Sequence, residues 1–260
     1  MYPDELFLGI HLYGVMIALG ILACFGTLFY FGKNKKINPN FTDFVFYTAI
    51  VAIGLGFLSA MLFQSTYNYI KNPAGGWNFN EGMTFIGGLI GGVAVFLAIY
   101  FIFRKKLSGR LLDIIHIAPC CIIIAHAFGR VGCAFAGCCY GKEITSGIAM
   151  YNHGAWRIPT QLYEAFFLFV LYAVLFYLVK RKNFKYTMPI YLFVYGIFRF
   201  IIEFFRADDR GTLVGAISPS QFWSILMVVA SVVVFFILKW AFDKAEKEDK
   251  LKNDEVKNNS

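Results

Sequence analysis

The stretch YLFVYGIFRFIIEFFR, residues 191–206, carries Tyr195, Arg199 and Glu203 at i, i+4 and i+8 within an otherwise apolar run. At about 100° per residue these three side chains fall on one stripe of a helix. An arginine or a carboxylate at membrane depth costs several kcal/mol, so it faces a protein interior or a wet cavity, commonly at a functional site. The pattern fits chemistry on a charged group inside a membrane. It also fits an Arg–Glu pair that only locks two helices together.

A second segment, HAFGRVGCAFAGCCYG at 126–141, sets Arg130 among Gly129, Gly132, Gly137 and Gly141. Glycines at this density are expected to interrupt a membrane helix and expose main-chain N–H groups to an anion. The planar guanidinium of Arg130 suits bidentate binding of a phosphate, so a phosphodiester ligand is expected here. The competing reading makes Arg130 a cap on a broken helix. Cys133, Cys138 and Cys139 lie in the same segment, Cys120 and Cys121 precede it, and Cys24 is remote. Cys133 and Cys138 have Cys-x4-Cys spacing with His126 and His153 nearby, a poor match to zinc-site patterns. A disulfide, inert packing and a thiol activated by Arg130 are further readings.

Two further segments are less specific. In IPTQLYE, 158–164, Pro159 opens a helix and Gln161 and Glu164 share a face, as ordinary N-terminal capping would also require. In EGMTFIGGLIGG, 81–92, Gly87, Gly88, Gly91 and Gly92 form a smooth face for close helix packing.

The elements that must position these residues are membrane helices. The chain of 260 residues is 58% hydrophobic with 30 Phe and a mean hydropathy of +0.61, against about 45–50% apolar for a soluble domain. Seven spans are predicted, near 7–31, 42–69, 83–103, 112–128, 160–179, 187–206 and 216–240. The fourth is interrupted by Asp113, His116 and Pro119. The run from Leu6 to Phe31 lacks the basic lead of a cleavable signal peptide. The net charge of +8 does not imply nucleic-acid binding, because the basic residues sit in short blocks between spans. Those after spans one, three and five (Lys33, Lys35 and Lys36; Arg104, Lys105, Lys106 and Arg110; Lys180, Arg181, Lys182 and Lys185) put the N-terminus outside and the C-terminus in the cytoplasm. Residues 1–240 are expected to be one membrane domain and 241–260 a charged cytoplasmic tail, helical and then fraying.

GRVG…GCCYG at 129–141, PTQLYE at 159–164 and YGIFRFIIEFFR at 195–206 together resemble the prolipoprotein diacylglyceryl transferase family. LYG at 12–14, FIGGLIGG at 85–92 and ISPSQFWSI at 217–225 extend the likeness over nearly the whole chain before the tail. The resemblance implies an all-α, seven-span, multi-pass enzyme of the bacterial inner (cytoplasmic) membrane. Such an enzyme moves the diacylglyceryl group of phosphatidylglycerol onto the lipobox cysteine of prolipoprotein signal peptides and releases glycerol phosphate. It implies no metal and no soluble cofactor. By position, Arg130 would bind the lipid phosphate with Gly129 and Cys133 beside it, Gly141 would close the loop, and Tyr195, Arg199 and Glu203 would line the cavity. Gln161, Tyr163 and Glu164 would give structural support.

This chain departs from the family pattern at several positions. Ile86 stands where the family has histidine, Cys133 and Ala136 where it has asparagine, and Cys138 where it has glutamate. An arginine of the second span is replaced near Leu58. His126, one turn before Arg130, is the alternative base. A changed acceptor for the same lipid, or thiol-redox or metal handling by Cys133, Cys138 and Cys139, are the rival functions.

Overall fold

The computed structural model describes residues 11–73, 76–79, 82–207 and 217–258, without the side chains of Phe85, Ile86, Lys252, Asn253 and 255–258. The Ile86 side chain, Glu81 and the acidic loop residues Asp208 and Asp209 with Arg210 therefore lie outside the described residues. Among the described residues, seven helices are long and apolar enough to cross a membrane. Helices satisfy their own peptide groups, as a hydrocarbon solvent demands. The molecule is an all-α polytopic membrane protein, and it divides into two compact units.

The unit formed by residues 32–110 is built on α2 (Pro39–Lys71) and α3 (Phe85–Phe103). Asn38 caps α2, its Oδ1 accepting from the Asn40 N–H at 2.9 Å, with Pro39 in the first turn. The smooth face expected at 85–92 is used as expected. A Cβ on Gly88 would lie 3.3 Å from Ala60 Cβ and from the Gly56 carbonyl, and one on Gly92 would lie 3.2 Å from the Ala52 carbonyl. Small residues at 52, 56 and 60 thus face small residues at 88 and 92, and Ser59 Oγ donates to the Gly87 carbonyl at 2.9 Å.

The other unit holds residues up to Phe31 and from Leu111 onward. It contains most of α1 (Leu12–Asn34), the short α4 (Leu111–Ile114), α5 (Ala118–Ala136), α6 (Thr160–Lys182), α7 (Thr187–Ile202) and α8 (Pro219–Asn258). The predicted fourth span moves toward the C-terminus. Asp113 belongs to α4, His116 lies between the helices, and Pro119 sits in the first turn of α5, where a missing N–H costs nothing. Gly129 and Gly132 do not break the helix, contrary to the sequence expectation. They lie inside α5, and a Cβ on Gly132 would meet Tyr13 Cδ2 at 3.1 Å and Met16 Cβ at 3.2 Å, so the glycine admits α1. Gly196 admits α8 in the same way, with the Ser224 carbonyl 3.1 Å from its virtual Cβ. Helix α8 runs on past Trp240 to Asn258.

Between α5 and α6 the chain makes a short antiparallel hairpin, β1 (Met150–Asn152) and β2 (Ala155–Arg157). The strip 140–144 lies between two neighbours. Gly141 N–H donates to the Ile158 carbonyl at 2.8 Å, Ile158 N–H to Lys142 at 3.0 Å, Ile144 N–H to Trp156 at 3.0 Å, and Lys142 N–H to Phe205 at 2.9 Å. Main-chain bonds thus stitch the end of α5, the start of α6 and the end of α7 together. Gly141 is wedged there: a Cβ would lie 2.7 Å from the Phe205 carbonyl and 2.8 Å from Ile158. Two of those atoms are backbone held by the same bonds, so they cannot yield. Gly141→Ala is expected to lower stability by about 1–3 kcal/mol, read as a fall in the thermal midpoint in detergent. An unchanged midpoint would show that the strip is loose.

Candidate active site

Glu164 is the centre of the polar cluster. It stands in the second turn of α6, 1% exposed. Its Oε2 accepts from Arg130 Nη2 at 2.5 Å and its Oε1 accepts from the Tyr195 hydroxyl at 2.8 Å. His126 Nε2 lies 3.7 Å from the same Oε1, and the imidazole is edge-on to Tyr195 at 5.2 Å. His126 and Arg130, at i and i+4 on α5, meet Glu164 from one side, while Tyr195 of α7 meets it from another. Arg199 also acts electrostatically on this carboxylate.

A second cluster sits one turn further along α7. The helix gives way to a 3₁₀ turn at Glu203–Phe205, so Glu203 is not on the continuous α-helical stripe that the sequence suggested. Arg199 still reaches it, Nη2 to Oε2 at 2.7 Å, and the tighter turn also brings Arg206 Nε to 3.8 Å from Oε2. Arg199 Nη2 donates to Ser220 Oγ at 2.8 Å and Ser218 Oγ donates to Glu203 Oε1 at 2.9 Å. The ISPSQ segment is a capping box. Gln221 N–H donates to Ser218 Oγ at 3.2 Å, and Ser218 N–H donates to Gln221 Oε1 at 3.1 Å, with Pro219 in the first turn of α8. Starting α8 correctly therefore also delivers two hydroxyls to the Arg199–Glu203 pair.

The loop after α5 follows from its C-cap. Gly137 is left-handed at φ 72°, its N–H donates to the Ala134 carbonyl, and Cys138 N–H donates to the Cys133 carbonyl at 3.1 Å. This is a Schellman motif, which folds Cys138 back over Cys133. Cys139 is also left-handed, at φ 63°, and its carbonyl accepts from Thr160 Oγ1 at 2.7 Å. The sulfurs of Cys133, Cys138 and Cys139 lie within 4.8 Å of one another, and Arg130 Nη1 is 3.7 Å from both Cys133 Sγ and Cys139 Sγ. Hydrogen bonds from Cys133 and then Cys138, with the charges of Arg130 and Arg206, hold the Cys139 thiol below the usual thiol range.

The sequence-predicted residues thus separate by role. Arg130, His126 and Tyr195 are joined through Glu164, and Arg199 and Glu203 pair beside Ser218 and Ser220. Cys133 touches Arg130, Gly129 lies in α5 one residue before it, and Gly141 holds the loop. His153 does not belong to the thiol cluster; its Nε2 lies 3.2 Å from the Gly137 carbonyl. The motifs by themselves do not put Glu164 at the centre, nor do they assign parts to Ser218, Ser220 and Arg206. The signal for Glu164 was in the sequence: a carboxylate in an apolar span, a turn after Gln161. Several buried polar atoms have no protein partner among the described residues: Arg130 Nε, Arg199 Nη1 and both amide atoms of the fully buried Gln161.

The prolipoprotein diacylglyceryl transferase family model matches residues 5–237. Among similar proteins, the phosphatidylglycerol–prolipoprotein diacylglyceryl transferase of Clostridium tetani is 35% identical over 245 residues, covering 90% of this chain and 95% of that protein. The Clostridium perfringens protein named phosphatidylglycerol–prolipoprotein diacylglyceryl transferase 2 is 32% identical over 244 residues, with 89% and 92% covered. The Campylobacter curvus transferase is 29% identical over 249 residues, with 88% and 90% covered. With its motifs, spans and nearly all of its length matched, this chain belongs to the prolipoprotein diacylglyceryl transferase family.

Proposed function

We propose that this chain transfers the diacylglyceryl group of phosphatidylglycerol to the cysteine thiol of a prolipoprotein signal peptide, releasing glycerol phosphate. The observation that carries this reading is the state of the two arginines. Arg130 is anchored by Glu164 and the sulfurs of Cys133 and Cys139, Arg199 by Glu203 and Ser220, and each keeps one buried N–H without an acceptor among the described residues. Such a donor costs about 1–3 kcal/mol unless a ligand satisfies it. A phosphodiester supplies the acceptors, and donors fixed in advance lose little on reorganising as charge develops on the departing phosphate. Arg130 and Arg199 are the phosphate-binding residues in this reading. Tyr195, with Glu164, positions Arg130, and Glu203 positions Arg199. His126, Gly129 and Cys133 line the site beside Arg130, and Gly141 keeps the loop in place.

We take residues 1–240 as the transferase domain and 241–260 as its charged tail. The location is the cytoplasmic membrane, with the N-terminus outside and the C-terminus inside. Reporter fusions after Ser260 that are active only in the cytoplasm support that orientation, and activity only outside reverses it.

The direct test is mass spectrometry of a synthetic lipobox peptide incubated with purified protein and phosphatidylglycerol. A diacylglyceryl mass on the peptide cysteine, dependent on Arg130, establishes the reaction. Folded, lipid-bound protein that adds no such mass to the peptide overturns it. Arg199→Lys keeps the charge and loses the planar fork that spans Glu203, Ser220 and a ligand, so turnover is expected to fall at least about 10-fold. Near-normal turnover would leave Arg199 with only the task of balancing Glu203.

A further inference from the structure

An alkylated thiol must first lose its proton, and the carboxylates beside Arg130 and Arg199 are committed elsewhere. Glu164 uses both oxygens on Arg130 and Tyr195, and Glu203 is held by Arg199 and Ser218. His126 is set between Glu164 and the ring of Tyr195. On the other side of Arg130 stand three nucleophilic groups, the thiols of Cys133, Cys138 and Cys139.

We infer that Cys133, Cys138 and Cys139 form a three-thiolate zinc site whose fourth position takes the acceptor thiol, an inference that rests on the transferase reading. Zinc–sulfur bonds of about 2.3 Å put tetrahedral sulfurs about 3.8 Å apart, and sulfurs already within 4.8 Å need only a small closure. The backbone is fixed for it. The Schellman turn sets Cys138 over Cys133, Cys139 is held left-handed, and Asn152 Nδ2 and Thr160 Oγ1 donate to the Gly137 and Cys139 carbonyls at 2.9 and 2.7 Å. Charge agrees as well, since three thiolates on a divalent ion leave one negative charge, and Arg130 lies 3.7 Å from two of the sulfurs. Thiolate donors in tetrahedral geometry favour zinc over harder ions. Cys138 is exposed, so a thiol can approach from its side.

The chemistry closes on itself. The acceptor thiol takes the fourth position and its proton passes to solvent, since a metal-bound thiol is deprotonated. The thiolate forms a bond to the glycerol carbon of the lipid while the carbon–oxygen bond to phosphate breaks. The electron pair leaves with glycerol phosphate, whose charge the arginines meet. The thioether is neutral, a poorer ligand, and departs. No oxidant or reductant is needed. Arg130 touches both the thiols and the proposed phosphate position, so nucleophile and leaving group would share one guanidinium.

The test uses the full-length protein in detergent, reduced, stripped with a chelator and titrated with Co²⁺ and then Zn²⁺. One Co²⁺ per chain is expected, with thiolate-to-cobalt charge transfer in the near ultraviolet and tetrahedral bands in the red, displaced by stoichiometric zinc. Cys138→Ser and Cys139→Ser should each weaken binding by about 100-fold, whereas Cys24→Ser should leave the spectrum as it is. A lipobox peptide should shift the red bands, and its serine counterpart should not. Stripping should lower transfer at least 10-fold, with zinc restoring it. If stripped protein takes up no cobalt on these thiols, or transfers at full rate, the zinc site is overturned and the transferase reading stands. If cobalt binds with the thiolate spectrum and the peptide shift, yet no loading of the protein yields a diacylglyceryl mass, the transferase reading falls and the metal site stands.

Discussion

Arg130→Ala is expected to reduce diacylglyceryl transfer by about 10²–10³-fold, the loss seen when one preorganised donor to a developing anion is removed. The effect should appear in kcat more than in the affinity for lipid, because the interaction strengthens as phosphate departs. Arg130→Lys should recover only part of it, since an ammonium cannot hold Glu164 and a phosphate in one plane. The control is stability. Arg130 is also the counter-charge of a carboxylate that is 1% exposed, so the alanine variant must be shown to keep its thermal midpoint within reach of the assay temperature. A variant that stays folded and transfers at a rate within threefold of the original would remove Arg130 from the chemistry.

Glu164→Ala should be the most damaging single change to the fold of the site, at about 3–5 kcal/mol, because it leaves a guanidinium buried and unpaired. It also removes the acceptor of the Tyr195 hydroxyl. The size of the loss is set by the stranded charge, not by the strength of the pair, and the double variant separates the two. Arg130→Ala combined with Glu164→Ala should be less destabilised than the sum of the singles by about 1–3 kcal/mol, while staying inactive. Unfolding curves in detergent read this directly. Strict additivity would mean that the two residues do not share one buried environment.

Much of this arrangement could be read from residue types and spacing. Hydropathy alone located the helices, since each must close its own hydrogen bonds in hydrocarbon. The glycines at 88 and 92 announced a close neighbour, and Arg130, Arg199 and Glu203 announced a polar interior because their charges are costly anywhere else. Where the structure departs from the residue pattern, the cause is physical. The density of glycines suggests a break at Gly129 and Gly132, but a helix keeps a glycine where a neighbour needs the room, and α1 is that neighbour at Gly132. The fourth helix begins later than the apolar run suggests because Asp113 and His116 precede α5 instead of interrupting it. Glu164 lies 34 residues from Arg130 along the chain, and no local periodicity encodes such a meeting. The switch to a 3₁₀ turn at Glu203, which hands the carboxylate to two arginines, is likewise settled by packing.

The main-chain stitching of the strip 140–144 has a consequence for how this chain could change over time. Gly141, Lys142 and Ile144 are bound to Ile158, Phe205 and Trp156 through peptide groups alone, and peptide groups are the same whatever side chains they carry. A mutation at 133, 136 or 138 alters what the loop presents without loosening the frame that presents it. Drift could therefore try new chemistry at these positions while each trial still folded, whereas Gly141, whose missing Cβ is part of the frame, would be barred from the experiment.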